Sequence, residues 1–306
     1  MTTHAGGQFT RRWRKERREW MTFLLFILPN AILFLVFTYW PICYSFWLSM
    51  TDWDLLRPAH AYVGFANYRE LVSDPSFWRV LRNTLVYAGT VVVLAQVCAF
   101  LLAHLLNAPV YGQGIFRTVA FLPHVTMTAA AALVWVLLLH PQYGPLSSVY
   151  SMLALQGPNW LESSGLALAA LIVVGVWKET AFASLFFLAG LQGMPRESFE
   201  AAALDGAGLL ARLRHLTLPL MGPTIFFLAI TGVIAATKTF DTVAIMTEGG
   251  PVYPASSMYV YHLYVLAFRE YRAGYASAFA LVFFAITIGV VLAQFRFALR
   301  RVHYGE

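Results

Sequence analysis

Residues 20–51 read WMTFLLFILPNAILFLVFTYWPICYSFWLSMT, a run that contains no acid, lysine or arginine. The hydrocarbon core of a bilayer is about 30 Å thick, and a helix needs roughly 20 consecutive apolar residues to cross it. This run is long enough and predicts a membrane-spanning helix. Outward from it along the chain, further apolar stretches of spanning length begin at Asn83, Ile115, Leu166, Pro223 and Tyr275. The sequence therefore predicts about six spans.

The overall composition excludes an ordinary soluble domain. Of the 306 residues, 59% are hydrophobic and 12% are charged, and the mean hydropathy is +0.64. The basic cluster at 11–18 precedes the first apolar run as in a secretory signal, but that run is too long for one, so we predict a retained anchor. The net charge of +6 does not indicate nucleic-acid binding, because the basic residues lie at span ends. Cys43 and Cys98 both lie in apolar stretches and predict no disulfide framework.

The distribution of basic residues predicts the orientation. An even number of spans places both termini on one side, and the basic tails at 11–18 and 296–301 identify that side as the cytoplasm. The predicted cytoplasmic tails and loops hold 13 lysines and arginines, and the predicted external loops hold 6. We therefore predict a multi-pass protein of the bacterial inner (plasma) membrane, with both termini in the cytoplasm and in contact with membrane lipid.

The order of apolar and polar segments gives a domain organisation. Asp74 is suited to cap a helix and Pro75 to open one, so the second span is expected to begin with a helical extension outside the membrane. The predicted segments are a basic cytoplasmic tail at 1–20, an N-terminal transmembrane helix at 21–50, an external loop at 51–82, a core transmembrane domain at 83–297 with a cytoplasmic loop at 192–222, and a cytoplasmic tail at 298–306.

The loop between the fourth and fifth spans is the most informative polar segment. Residues 192–207 read QGMPRESFEAAALDGA and are too polar to cross a membrane. Pro195 is suited to the first position of a helix, and Glu197 and Glu200 fall where the positive end of the helix dipole favours carboxylates. Gly206 is able to supply the left-handed conformation that ends a helix. The pattern predicts a short cytoplasmic helix.

Two interpretations of this helix follow from its residues. Ala201, Ala202 and Ala203 give it a face of low bulk that fits a groove on a partner, to which Glu200 offers a carboxylate. The other interpretation is an amphipathic loop resting on lipid headgroups. A second, amphipathic helix is expected after it, with Leu209, Leu213 and Leu216 on one face and an end at Pro219.

The same segment resembles a known family. Glu200-Ala201-Ala202 with Asp205-Gly206-Ala207, followed by Leu218-Pro219 and Pro223, is similar to the EAA loop of binding-protein-dependent ABC importer permeases of the sugar and glycerol-3-phosphate branch. The resemblance covers nearly the whole chain. It extends to VGFANY at 63–68, FD at 240–241, TEGGP at 247–251 and GYASA at 274–278.

The resemblance implies an all-α integral membrane protein with the type I, MetI-like permease fold, which moves a carbohydrate-type solute such as a sugar, an oligosaccharide or a glycerol-3-phosphate-like compound. It implies pairing with a second permease subunit as a heterodimer, two ATPase subunits, and an external substrate-binding protein. The residues expected to couple this chain to the ATPase are Glu200, Ala201, Ala202, Asp205 and Gly206. No G-x-x-x-x-G-K-[ST] motif occurs in the sequence, so ATP and Mg²⁺ are expected on the ATPase and no cofactor on this chain.

Charged residues inside predicted spans are candidates for the translocation path. Lys178 and Glu179 fall near the middle of the fourth span, where an unpaired ion is costly, so both are expected to face protein or water. A structural charge paired across the subunit interface is the alternative. Lys178 is also able to meet a phosphate, since the neighbouring sequence resembles the glycerol-3-phosphate branch. Asp241 is a further candidate, although its spacing from Lys238 predicts a structural pair on one helical face.

Two other classes of function are weaker alternatives. An ion-coupled secondary transporter also uses polar residues in broken spans, but it needs no loop that docks an ATPase. An intramembrane enzyme is disfavoured because the sequence has no H-E-x-x-H or G-x-S-x-G pattern, and we predict no catalytic residues. His104, His124 and His140 lack the spacing of a metal site and are interpreted as packing or interface residues.

Overall fold

The computed structural model describes the backbone of residues 5–57, 60–109 and 111–298, and the side chains of residues 19–296 within these ranges except that of Arg196. The basic side chains at 11–18 and nearly all of the predicted tail at 298–306 lie outside what it describes. Helices account for nearly all the regular structure in the described part, whose only β-type pairing is a single bridge between Thr51 and Tyr62. The prediction of an all-α chain is confirmed.

Fifteen α-helices occur in the described residues, and π-helical turns at Leu35–Tyr39, Leu213–Thr217 and Val265–Arg269 join some of them. In chain order the helices are α1 Ala5–Phe34, α2 Trp40–Leu48, α3 Ala66–Ser73, α4 Pro75–Asn107, α5 Gln113–Val125, α6 Thr128–Leu138, α7 Pro145–Met152, α8 Ala167–Gln192, α9 Arg196–Leu204, α10 Leu209–Arg212, α11 Leu218–Leu220, α12 Gly222–Thr237, α13 Asp241–Met246, α14 Tyr259–Tyr264 and α15 Ala273–Ala298.

Four helices are long and apolar enough to cross a membrane, and two bent pairs raise the number to six if each pair forms one span. The four are Glu19–Leu48, Pro75–Asn107, Ala167–Gln192 and Ala273–Arg296. The third predicted span consists of α5 and α6, which meet at 97° around Thr126. The fifth consists of Leu209–Leu220 and α12, which meet at 62°. Counted in this way, the described residues hold the six predicted spans, two of them broken.

The amphipathic helix after the cytoplasmic loop does not end at Pro219, as the sequence predicted. Pro219 lies inside α11, and the chain bends only after Leu220, at Met221. The turn before α11 is π-helical, and the Leu218 N–H there donates to Leu213 O, five residues back. This wider turn changes which carbonyl each N–H group meets just before Pro219. Because proline has no N–H group to place in that pattern, the helix continues past it.

The centre of the bundle is the pairing of α4 with α8. Ala95, Ala99 and Ala103 recur every four residues on α4 and are fully buried, a small-residue stripe of the kind that lets membrane helices approach closely. Gly175 of α8 serves the same purpose, since a Cβ there would lie 2.5 Å from Tyr87 Oη. The two helices run in the same direction, because residues 87–91 pack with 170–174 and residues 99–106 with 183–188.

This parallel pairing defines two ends of the molecule. The end at which α4 and α8 begin carries α3, α7 and residues 247–258, and we call it the α3 face. The end at which they finish carries α9 and α10, and we call it the α9 face. One apolar cluster lies under the α3 face, where Phe77 and Val80 pack on Phe279 and Phe283, and another lies near the α9 face around Phe187 and Met221.

Side-chain hydrogen bonds and an ion pair join the segments of the α3 face. The Asn83 amide, almost fully buried, donates to the carbonyl oxygens of Pro254, Ala255 and Ser257 at 3.4, 3.0 and 3.2 Å. Arg272 pairs with Glu70 at 2.6 Å, and Tyr275 Oη donates to Asp74 at 3.1 Å. Asp74 also caps α4 by accepting from Ser76 N at 2.8 Å, so the predicted helix start at Asp74–Pro75 is confirmed.

The first span is joined to the rest of the described chain at the α3 face. Its most apolar window within Glu19–Leu48 has no buried residue. Its final residues are held by Asn67, whose amide donates to Ser49 O and Thr51 O at 2.8 Å each. The remaining surface of this helix is apolar and is not covered by the described residues, which leaves it for lipid or another subunit.

Candidate functional site

A cavity of about 370 Å³ lies between α4, α8, α12 and the 238–242 segment. Its lining contains two cations, Lys178 and Lys238, and two carboxylates, Glu179 and Asp241. All three residues predicted to line the translocation path are therefore brought to one space, together with a lysine assigned to a structural pair. The formal charges of these four side chains sum to zero, so the cavity is polar without favouring either sign overall.

Lys178 is held by the break in the third span. Its ammonium group donates to Thr126 O at 2.9 Å and to Thr128 Oγ1 at 3.0 Å. Thr126 is the residue at which α5 ends, so the lysine binds a carbonyl at the negative end of that helix. Lys178 therefore has a partner in its own chain and stabilises the 97° bend between α5 and α6.

Glu179 faces the cavity without a bonded partner. The structure gives its half-buried carboxylate no hydrogen bond or ion pair with any described residue. Gly232 on α12 leaves room for it, because a Cβ at that glycine would lie 3.7 Å from Glu179 Oε1 and 3.0 Å from Val92 Cγ2. A carboxylate in this position is free to accept hydrogen bonds from a solute.

The predicted pair between Lys238 and Asp241 is wrong. The expectation assumed one continuous helix, but α12 ends at Thr237 and α13 begins at Asp241, so the two residues flank a break. Among the described residues, no ion pair within 4.0 Å joins them. Both side chains instead line the cavity, and Lys238 is exposed there.

Sequence reasoning missed several residues of this site. His124, which we interpreted as a packing residue, lines the cavity and also stacks on Phe182 with a ring separation of 4.8 Å. Thr128 and Tyr87 line it as well. The signal that points to this region is Pro123, one residue before His124, because a proline within a spanning helix often marks a break.

The second candidate site is the bracket at the α9 face, which we define as residues 195–212. The predicted short helix is present as α9, and it ends as expected, with Gly206 at a φ of +75°. Ala207 N donates to Ala202 O at 2.9 Å and Gly206 N to Ala203 O at 3.1 Å, which are the two bonds of a Schellman motif. Gly208 then caps α10, so the bracket contains two helices joined by a fixed turn.

The start of α9 differs in detail from the prediction. Pro195 is the capping residue and not the first helical residue, which is Arg196. Because the helix begins one residue later, only Glu197 lies in its first turn, and Glu200 follows in the second turn. Glu200 is exposed, as are Ala201 and Asp205, so the loop carries its EAA residues at the surface of this chain.

Large apolar side chains accompany these residues on the bracket. Leu204, Leu209 and Leu210 are 90%, 82% and 74% exposed, values that an apolar side chain in water does not favour. Glu200 also borders a second cavity, of about 730 Å³, which Arg117 and Arg212 line as well. The bracket is thus a surface with exposed leucines and three exposed carboxylates, Glu197, Glu200 and Asp205.

A third cavity, of about 610 Å³, opens at the α3 face between the 139–165 segment and the 245–251 segment. Its polar lining includes His140, Gln142 and Asn159 together with the acids Glu162 and Glu248. Asn159 Nδ2 donates to Glu162 at 2.6 Å and holds this acid in place. Among the described residues no lysine or arginine lines the cavity, and its charged lining side chains are acidic.

His262, buried beneath the α3 face, makes stability depend on pH. Burial lowers its pKa to about 4, against about 6.5 in an unfolded chain. The folded protein binds fewer protons between these values, so its stability is expected to fall by about 3 kcal/mol as the pH drops from 6.5 to 4. Melting temperatures measured in detergent should show this fall. The variant His262→Gln should show a smaller decrease of melting temperature over the same pH range. His60→Gln, at an exposed histidine, is the control; equal slopes in all three proteins would contradict the expectation.

The broken spans, the charged cavity between them and the rigid bracket define a membrane transport subunit. Residues 5–302 match the family described as binding-protein-dependent transport system inner membrane component. The chain belongs to this family and is a multi-pass inner-membrane permease of the ABC transporter class. The family consists of transport components and not of enzymes.

Several curated proteins are similar to it over most of their length. The sn-glycerol-3-phosphate transport system permease protein UgpA of Yersinia enterocolitica is 33% identical over 289 residues, which cover 94% of this chain and 96% of that protein. The UgpA of Rhizobium meliloti is 32% identical over 92% of this chain and 96% of its own. A probable ABC transporter permease, y4oQ of Sinorhizobium fredii, is 33% identical over 94% and 93%. The predicted resemblance to the sugar and glycerol-3-phosphate branch is confirmed.

Two solved structures share the fold. A bacterial ABC transporter involved in the import of the acidic polysaccharide alginate has a chain with a TM-score of 0.80 and 24% identity, covering 96% of this chain and all of that one. The alginate transporter in complex with an alginate pentasaccharide-bound periplasmic protein gives a TM-score of 0.82 over 97% of this chain. These likenesses confirm the importer permease fold.

Proposed function

We propose that this chain forms half of the membrane pathway of an ATP-driven importer for a carbohydrate-type solute, which it moves by alternating access. A separate ATPase drives the movement through the bracket at residues 195–212. The relatives named above support the solute class, since several carry glycerol-3-phosphate transport in their names and the structural neighbours belong to an alginate importer. Sugars, oligosaccharides and glycerol-3-phosphate-like compounds are the solutes to test.

The geometry of the bracket carries the proposal. The two hydrogen bonds at the end of α9 fix the turn there, and exposed leucines and carboxylates lie together on the surface that follows. Here the turn at Gly206 fixes α9 against α10, and Leu204 stands fully exposed beside it. Such a rigid, half-apolar helix suits a groove on a protein partner. Glu200, Ala201, Ala202, Asp205 and Gly206 are the residues that we propose as the coupling contact.

The charged cavity is the proposed path for the solute. Glu179 has a free carboxylate that would accept hydrogen bonds from sugar hydroxyls, and Lys238 and Asp241 would offer a cation and a second carboxylate. Lys178 acts in this proposal mainly by holding the bend at Thr126, beside the path. Because the four charges balance, the cavity suits a neutral or a zwitterionic solute. It also tolerates an anionic solute beside Lys238.

The proposed partners follow from surfaces that this chain leaves open. The uncovered face of the first span is suited to lipid and to a second permease subunit, with which the chain would form a heterodimer. The bracket would engage a dimer of ATPase subunits, which would bind ATP and Mg²⁺ and leave this chain without a cofactor. The acidic cavity at the α3 face would lie beneath an external substrate-binding protein.

Reconstitution tests this function against an ion-coupled secondary transporter, the other candidate. The chain would be purified with its partner permease and ATPase, placed in vesicles with the binding protein, and offered each solute class. Hydrolysis of ATP that rises with one solute, together with uptake that stops without ATP, is the expected result. Uptake that follows a proton or sodium gradient and ignores ATP would contradict the proposal.

Orientation is a separate prediction. The positive-inside rule places the bracket and both termini in the cytoplasm, and the acidic cavity outside. Single cysteines at Ser198, on the bracket, and at Gln142, at the α3 face, would be introduced after Cys43 and Cys98 are replaced. In intact cells an impermeant maleimide is expected to label position 142 and not position 198. Labelling at position 198 and not at position 142 would show an orientation opposite to the predicted one. It would also exclude an ATPase contact at the bracket.

A further inference from the structure

Two arginines at the α9 face lack the partners that half-buried guanidinium groups require. The Nε atoms of Arg117 and Arg212 are buried and have no hydrogen-bond acceptor among the described residues. Arg117 makes one long bond, from Nη2 to Leu106 O at 3.4 Å, and that oxygen already accepts from Gln113 at 2.7 Å. Within the described side chains, neither arginine forms an ion pair within 4.0 Å.

Both arginines line the same cavity of about 730 Å³. They come from different parts of the chain, Arg117 from α5 and Arg212 from α10, and the fold brings them to one space beneath the bracket. Amide groups of Asn107, Gln113 and Gln192 add hydrogen-bonding capacity around them. Glu200 supplies a negative charge at the cavity wall, so the lining keeps one excess positive charge.

Two guanidinium groups that line one cavity are an arrangement that proteins use for phosphate. Each presents parallel N–H donors that match two oxygens of a phosphate group, and an anion between them removes the penalty of burying unpaired charge. A carboxylate has only two oxygens and would satisfy one arginine well. A phosphate group has enough acceptors for both, as well as for a neighbouring amide.

We propose that the cavity formed by Arg117, Arg212 and the inner side of α9 binds a phosphate group. The group would come either from a soluble phosphate compound or from the headgroup of a phospholipid, because the cavity lies where the spans meet the α9 face. The site is separate from the charged cavity between the spans, and its existence does not depend on the coupling role of Glu200.

Binding would nevertheless affect Glu200, since the carboxylate and the phosphate share one cavity. An occupied site pairs the arginines with the ligand and repels Glu200, which favours its outward-facing position. An empty site leaves the arginines to attract Glu200. A phosphate group would therefore help to present Glu200 at the surface of the bracket.

The test uses the full chain purified in dodecyl maltoside and freed of lipid. In one arm, inorganic phosphate is titrated against sodium chloride of equal ionic strength, with binding followed by calorimetry. In the other, phosphatidylglycerol is compared with a galactosyl diglyceride, which has no phosphate, and retained lipid is counted by native mass spectrometry. Saturable binding is expected in at least one arm: a response to inorganic phosphate identifies a soluble ligand, and retention of phosphatidylglycerol alone identifies a headgroup.

Variants localise the binding. The double variant Arg117→Gln/Arg212→Gln should bind at least about tenfold more weakly, while Arg214→Gln, an exposed arginine on the same segment that does not line the cavity, should bind as the wild type does. Glu200→Gln removes a like charge and should tighten binding about threefold. If the double variant aggregates in size-exclusion chromatography, the tighter binding expected of Glu200→Gln still tests the proposal. No binding by the wild type, equal loss in Arg214→Gln, or unchanged binding in Glu200→Gln would overturn the proposal.

Discussion

Replacing Glu200 with alanine is expected to leave the protein inserted in the membrane while reducing solute-stimulated ATP hydrolysis about tenfold or more. Glu200 is exposed on α9 and contributes nothing to the packing of the spans, so the fold should survive. A charge-assisted bond to a basic residue of the ATPase is worth about 1.5–3 kcal/mol, and 1.4 kcal/mol corresponds to tenfold in affinity. Co-purification of the ATPase and hydrolysis in reconstituted vesicles are the two measurements. Glu197→Ala, an exposed glutamate one turn earlier, is the matched control.

Replacing Gly206 with valine should have an effect of similar size for a different reason. A Cβ at Gly206 would meet no atom within 4 Å, so the substitution acts only through the backbone, which has a φ of +75°. A β-branched residue disfavours this conformation by about 1–2 kcal/mol, which would open the Schellman turn and release α9 from α10.

Gly208 provides a close control for this change. It lies two residues away, also has open space around its Cα, but has a φ of −66°, which any residue adopts. Gly208→Val should therefore keep the ATPase bound and stimulated, while Gly206→Val should not. If both variants match the wild type, the turn does not transmit force and the loop is a solvated connector.

The second large effect is expected for Lys178→Met. Methionine keeps an unbranched apolar chain like the stem of lysine but removes both bonds that span the break between α5 and α6, leaving Thr126 O without its ammonium donor. Loss of the bonds from a charged group is expected to cost about 2–3 kcal/mol. We expect a lower melting temperature in detergent and reduced uptake of neutral and anionic solutes alike, because the bend borders the whole cavity.

Lys238→Met separates this structural effect from recognition of charge. The Lys238 side chain lines the same cavity but makes no hydrogen bond or ion pair with the described residues, so its loss should not lower stability. Uptake of an anionic phosphate ester should fall more than uptake of a neutral sugar. A selective loss for the anion in Lys178→Met, with no change in melting temperature, would show instead that Lys178 meets the solute directly.

Local signals in the sequence were sufficient for much of the fold. The apolar runs located the four long apolar helices and the two bent pairs, since a spanning helix has to satisfy its own backbone and be apolar over its whole length. The start of α4 at Asp74 and the end of α9 at Gly206 were predictable because capping depends on neighbouring residues. The charges Lys178, Glu179 and Asp241 were recognisable as exceptional because they interrupt apolar runs.

The misjudged features depend on irregularities within helices and on one contact distant in sequence. Pro219 signals an end to a helix, but the π-helical turn upstream overrides that signal, and nothing in the residues 213–217 announces it. The pairing of Lys238 with Asp241 failed because a three-residue spacing has meaning only on an unbroken helix. The partner of Lys178 is a carbonyl 52 residues earlier, exposed by a bend that apolar composition does not reveal.

The bonds across the α3 face join residues far apart in sequence, so they form only after most of the chain has been synthesised. Asn83 and its acceptor Ala255 are 172 residues apart, and Glu70 and Arg272 are 202 apart. At a synthesis rate of about 5–20 residues per second, roughly 10–35 s pass before Asn83 meets its acceptors. During that interval the Asn83 amide lacks the acceptors that it has in the folded protein. The nascent permease is therefore most vulnerable before its last span emerges, and an insertase or an early subunit contact would be most useful then.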